Sequence, residues 1–312
     1  MTRANKDNTL IIMASSGGFP FDGYVAEGYR TLTAYKPVNT AKRVLREICF
    51  RTPLLPKVWW YNPAVAKSSG VEYILIRDTI ITKDYLLWLQ KLFPKAQINF
   101  TYDNLVGHAR HLKPEEIPEG IRIWTYDPGD SKKYNIRLKK VISYFRCYAK
   151  PAKEKKYDLL FVGRDKGRGD WLKELQAYLE KQGLRTRFLI TADGKFSPKK
   201  PYYEEPISYD QVTDWVAESR ALLNVGMENQ QGATMRDIES HFNQIKLVTT
   251  IPAIAETSIY DKVNTFFLTK DNWQELVTFL RAEYIKTGEV SWEHHRTEDM
   301  IAELTEQGKI AF

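Results

Sequence analysis

Residues 230–239 combine a glycine turn with the start of an amphipathic run. The segment lies between short apolar runs at 221–225 and 246–250, so we predict the order strand, turn, helix and strand. In that order the first backbone N–H groups of the helix point the same way as the positive end of its dipole. This geometry attracts phosphate. The amides concerned are those of Gly232, Ala233 and Thr234.

Two charged side chains follow this turn about one helical turn apart. Arg236, in the first turn of the predicted helix, offers a bidentate donor to phosphate. Glu239 offers a carboxylate that can accept from both hydroxyls of a ribose. A diphosphate site beside a diol acceptor is typical of a nucleotide-sugar pocket. The alternative is an ordinary capped amphipathic helix, and the segment alone leaves it open.

Composition limits the kinds of protein that the chain can form. Its 312 residues, 43% of them hydrophobic, are sufficient for two domains with real cores. The net charge of +7 favours anionic partners, namely nucleotides, nucleic acid or acidic lipid. Cys49 and Cys147 are far apart and predict reduced thiols in a cytoplasmic protein. No run approaches the ~20 apolar residues of a membrane span, and the run 10–13 is too short for a signal peptide.

Short apolar runs alternate with helical patterns along the chain, which predicts an α/β fold with parallel sheets and helices on both faces. Predicted strands cover 9–15, 58–61, 71–76, 97–102, 120–124, 157–163, 185–190, 221–225, 246–250 and 265–268. Predicted helices cover 82–93, 170–183, 208–219, 234–243, 272–286 and 292–307.

A polar, proline-containing stretch at 150–156 is the best linker in the sequence. We therefore predict two Rossmann-like domains, at 1–150 and 151–288, followed at 289–312 by a terminal helix that packs back toward the first domain. Two such domains in series enclose a cleft, and parallel sheets bind ligands at the carboxyl ends of their strands.

The glycine turn and its helix also carry a family signature, with matches at Gln230, Gly232, Thr234, Met235, Arg236 and Glu239. These residues resemble the Q-x-G-x-T-M-R-x-x-E run of two-Rossmann-domain (GT-B) glycosyltransferases encoded in bacterial capsule and lipopolysaccharide clusters. Other segments resemble the same family, so that the match covers most of residues 70–270: 71–78, 94–104, 124–135, 157–163, 246–250 and 259–267. Two positions depart from it. Asp103 stands where relatives tend to have Trp, and Gln231 where many transferases have a second glutamate.

The resemblance implies a hexosyltransferase that moves a sugar from a nucleotide-diphosphate donor to a hydroxyl of a cell-surface polysaccharide or a lipid-linked oligosaccharide. Domain 151–288 would bind the donor and domain 1–150 the acceptor. The nucleotide sugar is a substrate, and no cofactor is expected. Because the sequence contains no Asp-x-Asp, basic side chains and helix dipoles would neutralise the leaving diphosphate without a metal.

A second group of donor residues is predicted after the first strand of the second domain. Gly163, Arg164 and Lys166, with Arg168 close by, have the right residue types for a diphosphate site. A solvated basic turn is the other interpretation. Together with Gln230, Gly232, Ala233, Thr234, Arg236 and Glu239 they form the predicted donor site. No metal site is predicted, since His108 and His111 lack the accompanying ligands.

An inverting transferase needs a base to accept the proton of the acceptor hydroxyl. Asp78 follows an apolar strand and so should lie at the ligand-binding edge of the sheet, and Asp103 follows the next strand. Asp22, in a glycine-rich loop, is the third candidate. Each is equally suited to a helix cap or a turn. A retaining transferase would need none of them.

Residues 35–60 are rich in basic and aromatic side chains. One interpretation is peripheral contact with anionic lipid at the inner face of the cell membrane, which would suit a lipid-linked acceptor. The other is a packed helix with a solvated basic face.

Three other functions stay open. A nucleotide-sugar epimerase or hydrolase would share the architecture and the donor pocket, and a non-catalytic nucleotide-sugar-binding protein would share the pocket alone. A nucleic-acid-binding protein would fit the charge, but 39 acidic residues interleaved with 46 basic ones disfavour it.

Overall fold

The structure is a computed structural model that describes residues 2–13, 16, 20–52, 56–77, 81–107, 112–141, 152, 154–194, 197–227, 229–288 and 295–306. The chain divides into two compact units. One comprises Met1–Phe145 together with Glu293–Phe312, and the other Arg146–Trp292. The domain limits predicted at 150 and 288 differ from these by a few residues.

The described elements of the first unit follow one another as strands and helices in alternation. In chain order they are β1 (Thr9–Met13), α1 (Phe21–Ala26), β2 (Arg30–Thr33), α2 (Thr40–Arg51), α3 (Pro63–Ala66), β3 (Tyr73–Arg77), α4 (Lys83–Leu92), β4 (Gln97–Tyr102), β5 (Arg122–Thr125), α5 (Pro128–Tyr134) and β6 (Arg137–Leu138).

Within the described residues of the first unit, six parallel strands form one sheet in the order β2-β1-β3-β4-β5-β6. The chain moves from β1 to one side of the sheet and then returns to the other side at β3. Ligands of open α/β sheets bind at such a reversal, outside the carboxyl ends of the strands. In this unit the reversal lies between Met13, which ends β1, and Arg77, which ends β3.

The second unit repeats this construction. Its described elements are β7 (Leu159–Arg164), α6 (Gly169–Lys181), β8 (Thr186–Thr191), α7 (Tyr209–Ala217), β9 (Ala221–Asn224), α8 (Met235–Phe242), β10 (Lys246–Thr249), β11 (Thr265–Phe267) and α9 (Trp273–Arg281). Five parallel strands of this described region form a sheet in the order β11-β10-β9-β7-β8. The reversal therefore lies between the carboxyl ends of β7 and β9.

The last described helix, α10 (Thr297–Leu304), belongs to the first unit. The Glu303 carboxylate accepts the amides of Lys140 at 2.7 Å and Val141 at 2.9 Å. The side-chain amide of Gln97 donates to the carbonyl of Leu304 at 3.3 Å. These bonds fix α10 beside the β4 and β6 region.

The strands are apolar on both faces, because helices cover both sides of a parallel sheet. Leu10, Ile11 and Ile12 in β1 point alternately to opposite faces, and each is fully buried. Leu159 and Leu160 in β7 are fully buried in the same way. The predicted fold class is confirmed: the chain forms two α/β units, each with a parallel sheet.

One predicted strand is a helix in the structure, because its apolar side chains are not buried as those of a core strand would be. The strand predicted at 58–61 is the 3-10 helix Lys57–Trp60, which follows Pro56 and leaves Trp59 65% exposed. Helix α2 lies in the basic segment 35–60, for which a helix was one interpretation but no bounds were predicted, and Asn39 caps it by accepting the amide of Lys42 at 3.0 Å. In the residues that the structure describes, no helix has the length and apolar character needed to cross a membrane.

Candidate functional site

The start of α8 is closed by a reciprocal cap. The Thr234 hydroxyl accepts the amide of Arg236 at 3.1 Å, while the Thr234 amide donates to the Asp237 carboxylate at 2.7 Å. This is the capping-box arrangement, which satisfies the first amides of a helix. The sequence predicted that the Thr234 amide would face phosphate. For the Thr234 amide this prediction is wrong, because the amide donates to the Asp237 carboxylate instead.

Asp237 is buried and links the cap to the sheet. The side-chain amide of Asn224, the last residue of β9, donates to both of its carboxylate oxygens at 2.8 Å. Burial raises the pKa of Asp237 to about 6, even though these bonds and the Thr234 amide act in the opposite direction. Asp237 therefore holds α8 against the carboxyl end of β9.

The turn before α8 is also internally bonded. The Gln230 side chain accepts the amide of Met227 at 3.1 Å, and Gln230 donates its own amide to the Met227 carbonyl. Gly232 and Ala233, which complete the predicted glycine turn, are buried. The turn is thus ordered by its own residues.

Arg236 and Glu239 form an ion pair with each other. Glu239 is 3% exposed, and its second carboxylate oxygen accepts the Tyr209 hydroxyl at 2.7 Å. The sequence assigned Arg236 to the diphosphate and Glu239 to the ribose as independent contacts. In the structure both carboxylate oxygens of Glu239 already have a partner, so a ribose would compete with Tyr209 and Arg236 for them. Tyr209, 30 residues away in sequence, was missed.

The loop after β7 differs from the prediction in its turn position. Gly163 was expected in a glycine turn, but it lies inside β7 and is in register with Ile190 of β8. The turn comes later, at Lys166 and Gly167, whose φ angles are 48° and 80°. The strand is longer than predicted because β8 pairs with it as far as Arg164.

Three cations are concentrated in this loop. Arg164 and Lys166 are exposed, and Asp193 accepts from the Arg164 side chain at 3.3 Å and from the Lys166 amide at 2.9 Å. The Arg168 guanidinium lies over the Phe161 ring at 5.2 Å. Burial, followed by the charges of Arg168 and Arg164, lowers the pKa of the Lys166 ammonium. The three cations therefore repel one another, and an anion would relieve that repulsion.

One donor in this loop is unsatisfied. The Nε–H of Arg168 is shielded from solvent and has no hydrogen-bond partner within the described parts of the chain. Its Nη2 donates to the Arg164 carbonyl at 3.3 Å. A buried donor without an acceptor is uncommon in native proteins, and one common reason is a bound ion.

The start of α6, in contrast, is occupied by a protein carboxylate. Buried Asp165 accepts the Gly169 amide at 2.7 Å, the Tyr203 hydroxyl at 2.6 Å and the Lys200 ammonium at 3.2 Å. Burial by itself would raise the pKa of Asp165, but these contacts outweigh it and lower the pKa to about 2. Asp165 thus supplies the negative charge at the dipole of α6. The sequence analysis missed Asp165, although its place directly after a strand was a usable signal.

The two loops share one edge of the second sheet. Because β7 and β9 are paired neighbours and parallel, the cationic loop 164–168 and the turn 225–234 both leave the carboxyl edge at the reversal of strand order. The predicted donor residues are thereby brought to the same edge. Among the described residues, no group of three or more His, Cys, Asp or Glu is arranged to hold a metal ion.

The three predicted bases have different environments. Asp78, like His108 and His111, lies outside the described residues. Asp22 is exposed in the first turn of α1, where the sequence predicted a loop. Asp103 directly follows β4 and binds Arg77 at 2.6 Å and Lys139 at 2.9 Å.

Asp103 is poorly suited to the role of base. Burial would raise its pKa, but the charges of Arg77 and Lys139 prevail and lower the pKa to about 2. A carboxylate that holds protons so weakly has little driving force to accept one near neutral pH. The contacts indicate that Asp103 stabilises the first unit by joining β3, β4 and the segment after β6.

We expect Asp103→Asn to destabilise the first unit by about 3 kcal/mol, because it removes the carboxylate that pairs at 2.9 Å with the Lys139 ammonium, which is 4% exposed. Since the folded pKa is depressed, the ion pairs stabilise the fold fully above the ordinary carboxyl pKa of about 4. That contribution is lost as pH falls toward about 2. Urea unfolding of wild type and variant from neutral pH downward measures the difference. A difference that does not shrink in acid would contradict this account.

Comparison with known proteins gives a likeness in structure only. No family model matches the chain, and no curated protein matches its sequence. Among solved structures it is similar to the glycotransferase of kitacinnamycin, at 10% identity and a TM-score of 0.43, covering 96% of this chain and 94% of the other. It is also similar to the DNA-modifying enzyme β-glucosyltransferase, at 13% identity and a TM-score of 0.45, with the same coverage of 96% and 94%. That enzyme was studied with and without its substrate uridine diphosphoglucose.

Proposed function

We infer that the protein is a glycosyltransferase that moves a hexose from a nucleotide diphosphate to a hydroxyl of a cell-surface polysaccharide or a lipid-linked oligosaccharide. The second unit would bind the donor and the first the acceptor. The observation that carries the proposal is the cationic loop 164–168, with its unsatisfied Arg168 donor, at the strand-order reversal of a parallel sheet.

The chemistry needed at a leaving diphosphate matches this loop. Negative charge grows on the phosphate oxygens as the bond to the sugar breaks, and fixed cations placed there lower the barrier. Arg164, Lys166 and Arg168 repel one another in the free protein, so a diphosphate would gain both contacts and relief of repulsion. Arg236, at the neighbouring turn, could add a further contact by exchanging Glu239 for phosphate.

The ribose would be held by Glu239. In this proposal the arriving diphosphate attracts Arg236, and the carboxylate that Arg236 releases accepts the ribose hydroxyls. Tyr209 keeps the other carboxylate oxygen in place. The Arg236–Glu239 ion pair would thus be the resting arrangement of the donor site.

Two measurements on the purified full chain test the function. Thermal-shift screening against uridine, thymidine, guanosine and cytidine diphosphates and their sugars should show stabilisation by one nucleotide class, since a ligand that binds only the folded state raises its stability. Mass spectrometry of donor incubated alone should then show no change, whereas donor with a suitable acceptor should give transfer. Release or epimerisation of the sugar without acceptor would favour the epimerase or hydrolase. No stabilisation by any nucleotide would overturn the proposal.

We expect Glu239→Ala to weaken nucleotide binding ~10–100-fold, because losing a charged hydrogen-bond partner typically costs ~1.5–3 kcal/mol. Tyr209→Phe is the matched control, since it removes a contact of the same carboxylate but keeps the carboxylate. Isothermal titration calorimetry of both variants distinguishes a role of Glu239 in nucleotide binding from a role in stability. If both lose thermal stability and neither loses affinity, Glu239 has a structural role alone.

We expect EDTA to leave transfer unchanged. In the proposed mechanism, cationic side chains neutralise the diphosphate, and the sequence lacks the Asp-x-Asp with which other transferases bind a metal. Initial rates with EDTA and with added Mg²⁺ or Mn²⁺ measure this. A loss of rate that Mn²⁺ restores would show that a metal takes part.

A further inference from the structure

Exposed apolar side chains are concentrated on one part of the first unit. Of the nine large hydrophobic residues that are exposed in the described chain, five lie on α2 and the adjoining 3-10 helix Lys57–Trp60. They are Val44, Leu45, Ile48, Val58 and Trp59, with exposed fractions between 48% and 65%. The two helices contact each other, so these residues form one surface, here called the α2 surface.

Helix α2 turns its apolar stripe away from the protein. Val44, Leu45 and Ile48 have the spacing of one helical face, yet each is at least half exposed. The inward face instead carries Cys49, which is 4% exposed, and Arg46, whose guanidinium lies over the Tyr35 ring at 5.1 Å. Since the contacts of Arg46 fix the helix in this orientation, the stripe does not serve the core of its own unit.

The α2 surface also lies in a segment with a net positive charge. Residues 36–60 contain six basic residues and one acidic residue, and so carry five of the seven net positive charges of the whole protein. Lys57 is paired with Asp84, but Lys42, Arg43 and Arg51 are exposed around the apolar stripe. A contiguous apolar patch with a rim of one charge indicates an interaction site for an anionic partner.

We propose that the α2 surface docks on an anionic lipid bilayer. The apolar stripe and Trp59 would enter the headgroup region, while Lys42, Arg43 and Arg51 bind lipid phosphates. Amphipathic helices with basic flanks bind membranes in this way, and tryptophan favours the interface. A second copy of the chain is a poor partner, because a symmetric contact would place two strongly positive surfaces against each other.

Vesicle co-sedimentation of the full chain tests the proposal without any donor or acceptor, and so separately from the proposed activity. We expect binding to phosphatidylcholine vesicles that contain phosphatidylglycerol, little binding to phosphatidylcholine alone, and weaker binding as salt rises. The variant Leu45→Ser/Ile48→Ser/Trp59→Ser should bind more than about tenfold more weakly. The control Val263→Ser/Ile285→Ser, which changes residues 50% and 57% exposed in the second unit, should bind like wild type.

Charge is tested separately by Lys42→Glu/Arg51→Glu, which should lose binding most strongly at low salt. Thermal melts of all variants confirm that they fold. The proposal is overturned if wild type stays in the supernatant with anionic vesicles, or if the control loses as much binding as the apolar variant. Sedimentation velocity of the wild type and the apolar variant tests the other occupant. The proposal is equally overturned if the wild type does not bind vesicles but self-associates, and the variant does not self-associate.

Discussion

Replacing Arg164 with alanine is expected to lower the rate of sugar transfer about 10²–10³-fold, the usual effect of removing one electrostatic contact to a developing negative charge. Arg164 is the exposed cation at the end of β7, and its guanidinium donates to the carbonyl of Asp193 at 3.3 Å. The residue therefore contributes little to packing, and its loss should act on the reaction more than on stability.

The control for this experiment is Arg185→Ala. Arg185 belongs to the same unit and is paired with Asp158 at 3.4 Å, with its side chain 52% exposed. It precedes β8, so it lies at the amino edge of the sheet, opposite to Arg164. Initial rates and nucleotide affinity should be within a few-fold of wild type in this variant. Equal rates in the two variants would mean that loop 164–168 does not contact the diphosphate.

The fold could be predicted from sequence because it depends on patterns that are local. Alternating apolar runs and helical patterns are enough to indicate parallel sheets, and both sheets have that form. Caps are local as well. Ser208 and Gln211 form a capping box at the start of the helix predicted at 208–219, with the Gln211 amide 3.3 Å from the Ser208 hydroxyl. A three-residue spacing carries all the information that such a cap requires.

The same local signal was present at α8 and was given a different meaning. Thr234 and Asp237 have the spacing of a capping box, yet the glycine turn before them suggested free amides. Both interpretations use the same helix start, and the difference between them is whether Asp237 or a phosphate accepts the Thr234 amide. Only the positions of the side chains decide this, and they place the Asp237 carboxylate there.

Contacts between distant residues could not be predicted. Asp103 was selected as a base for its position after a strand, but its properties depend on Arg77 and Lys139, 26 and 36 residues away. Glu239 depends in the same way on Tyr209. A strand-end position predicts where a carboxylate lies, whereas its pKa and availability depend on neighbours that the fold brings together.

The environment of Asp103 strengthens the case for Asp78 as the acceptor base. Asp78 is the next residue in sequence after Arg77, where β3 ends at the strand-order reversal of the first sheet, and ligands of such sheets bind at this edge. Asp103 is held by two cations, and Asp22 is on a short helix. Asp78→Asn keeps the size and the hydrogen-bonding groups of the side chain but cannot take up a proton.

We therefore expect Asp78→Asn to lower transfer about 10²–10⁴-fold, the usual contribution of a general base, with nucleotide affinity unchanged. Asp22→Asn and Asp84→Asn are matched controls on the first unit, and both should retain most of the activity. The rate of wild type should fall in acid as the base becomes protonated, and the residual rate of Asp78→Asn should lose that dependence. If Asp78→Asn turns over normally while Asp22→Asn does not, the base is Asp22. If both turn over normally, the reaction proceeds without a base from this group, as a transferase that retains configuration would.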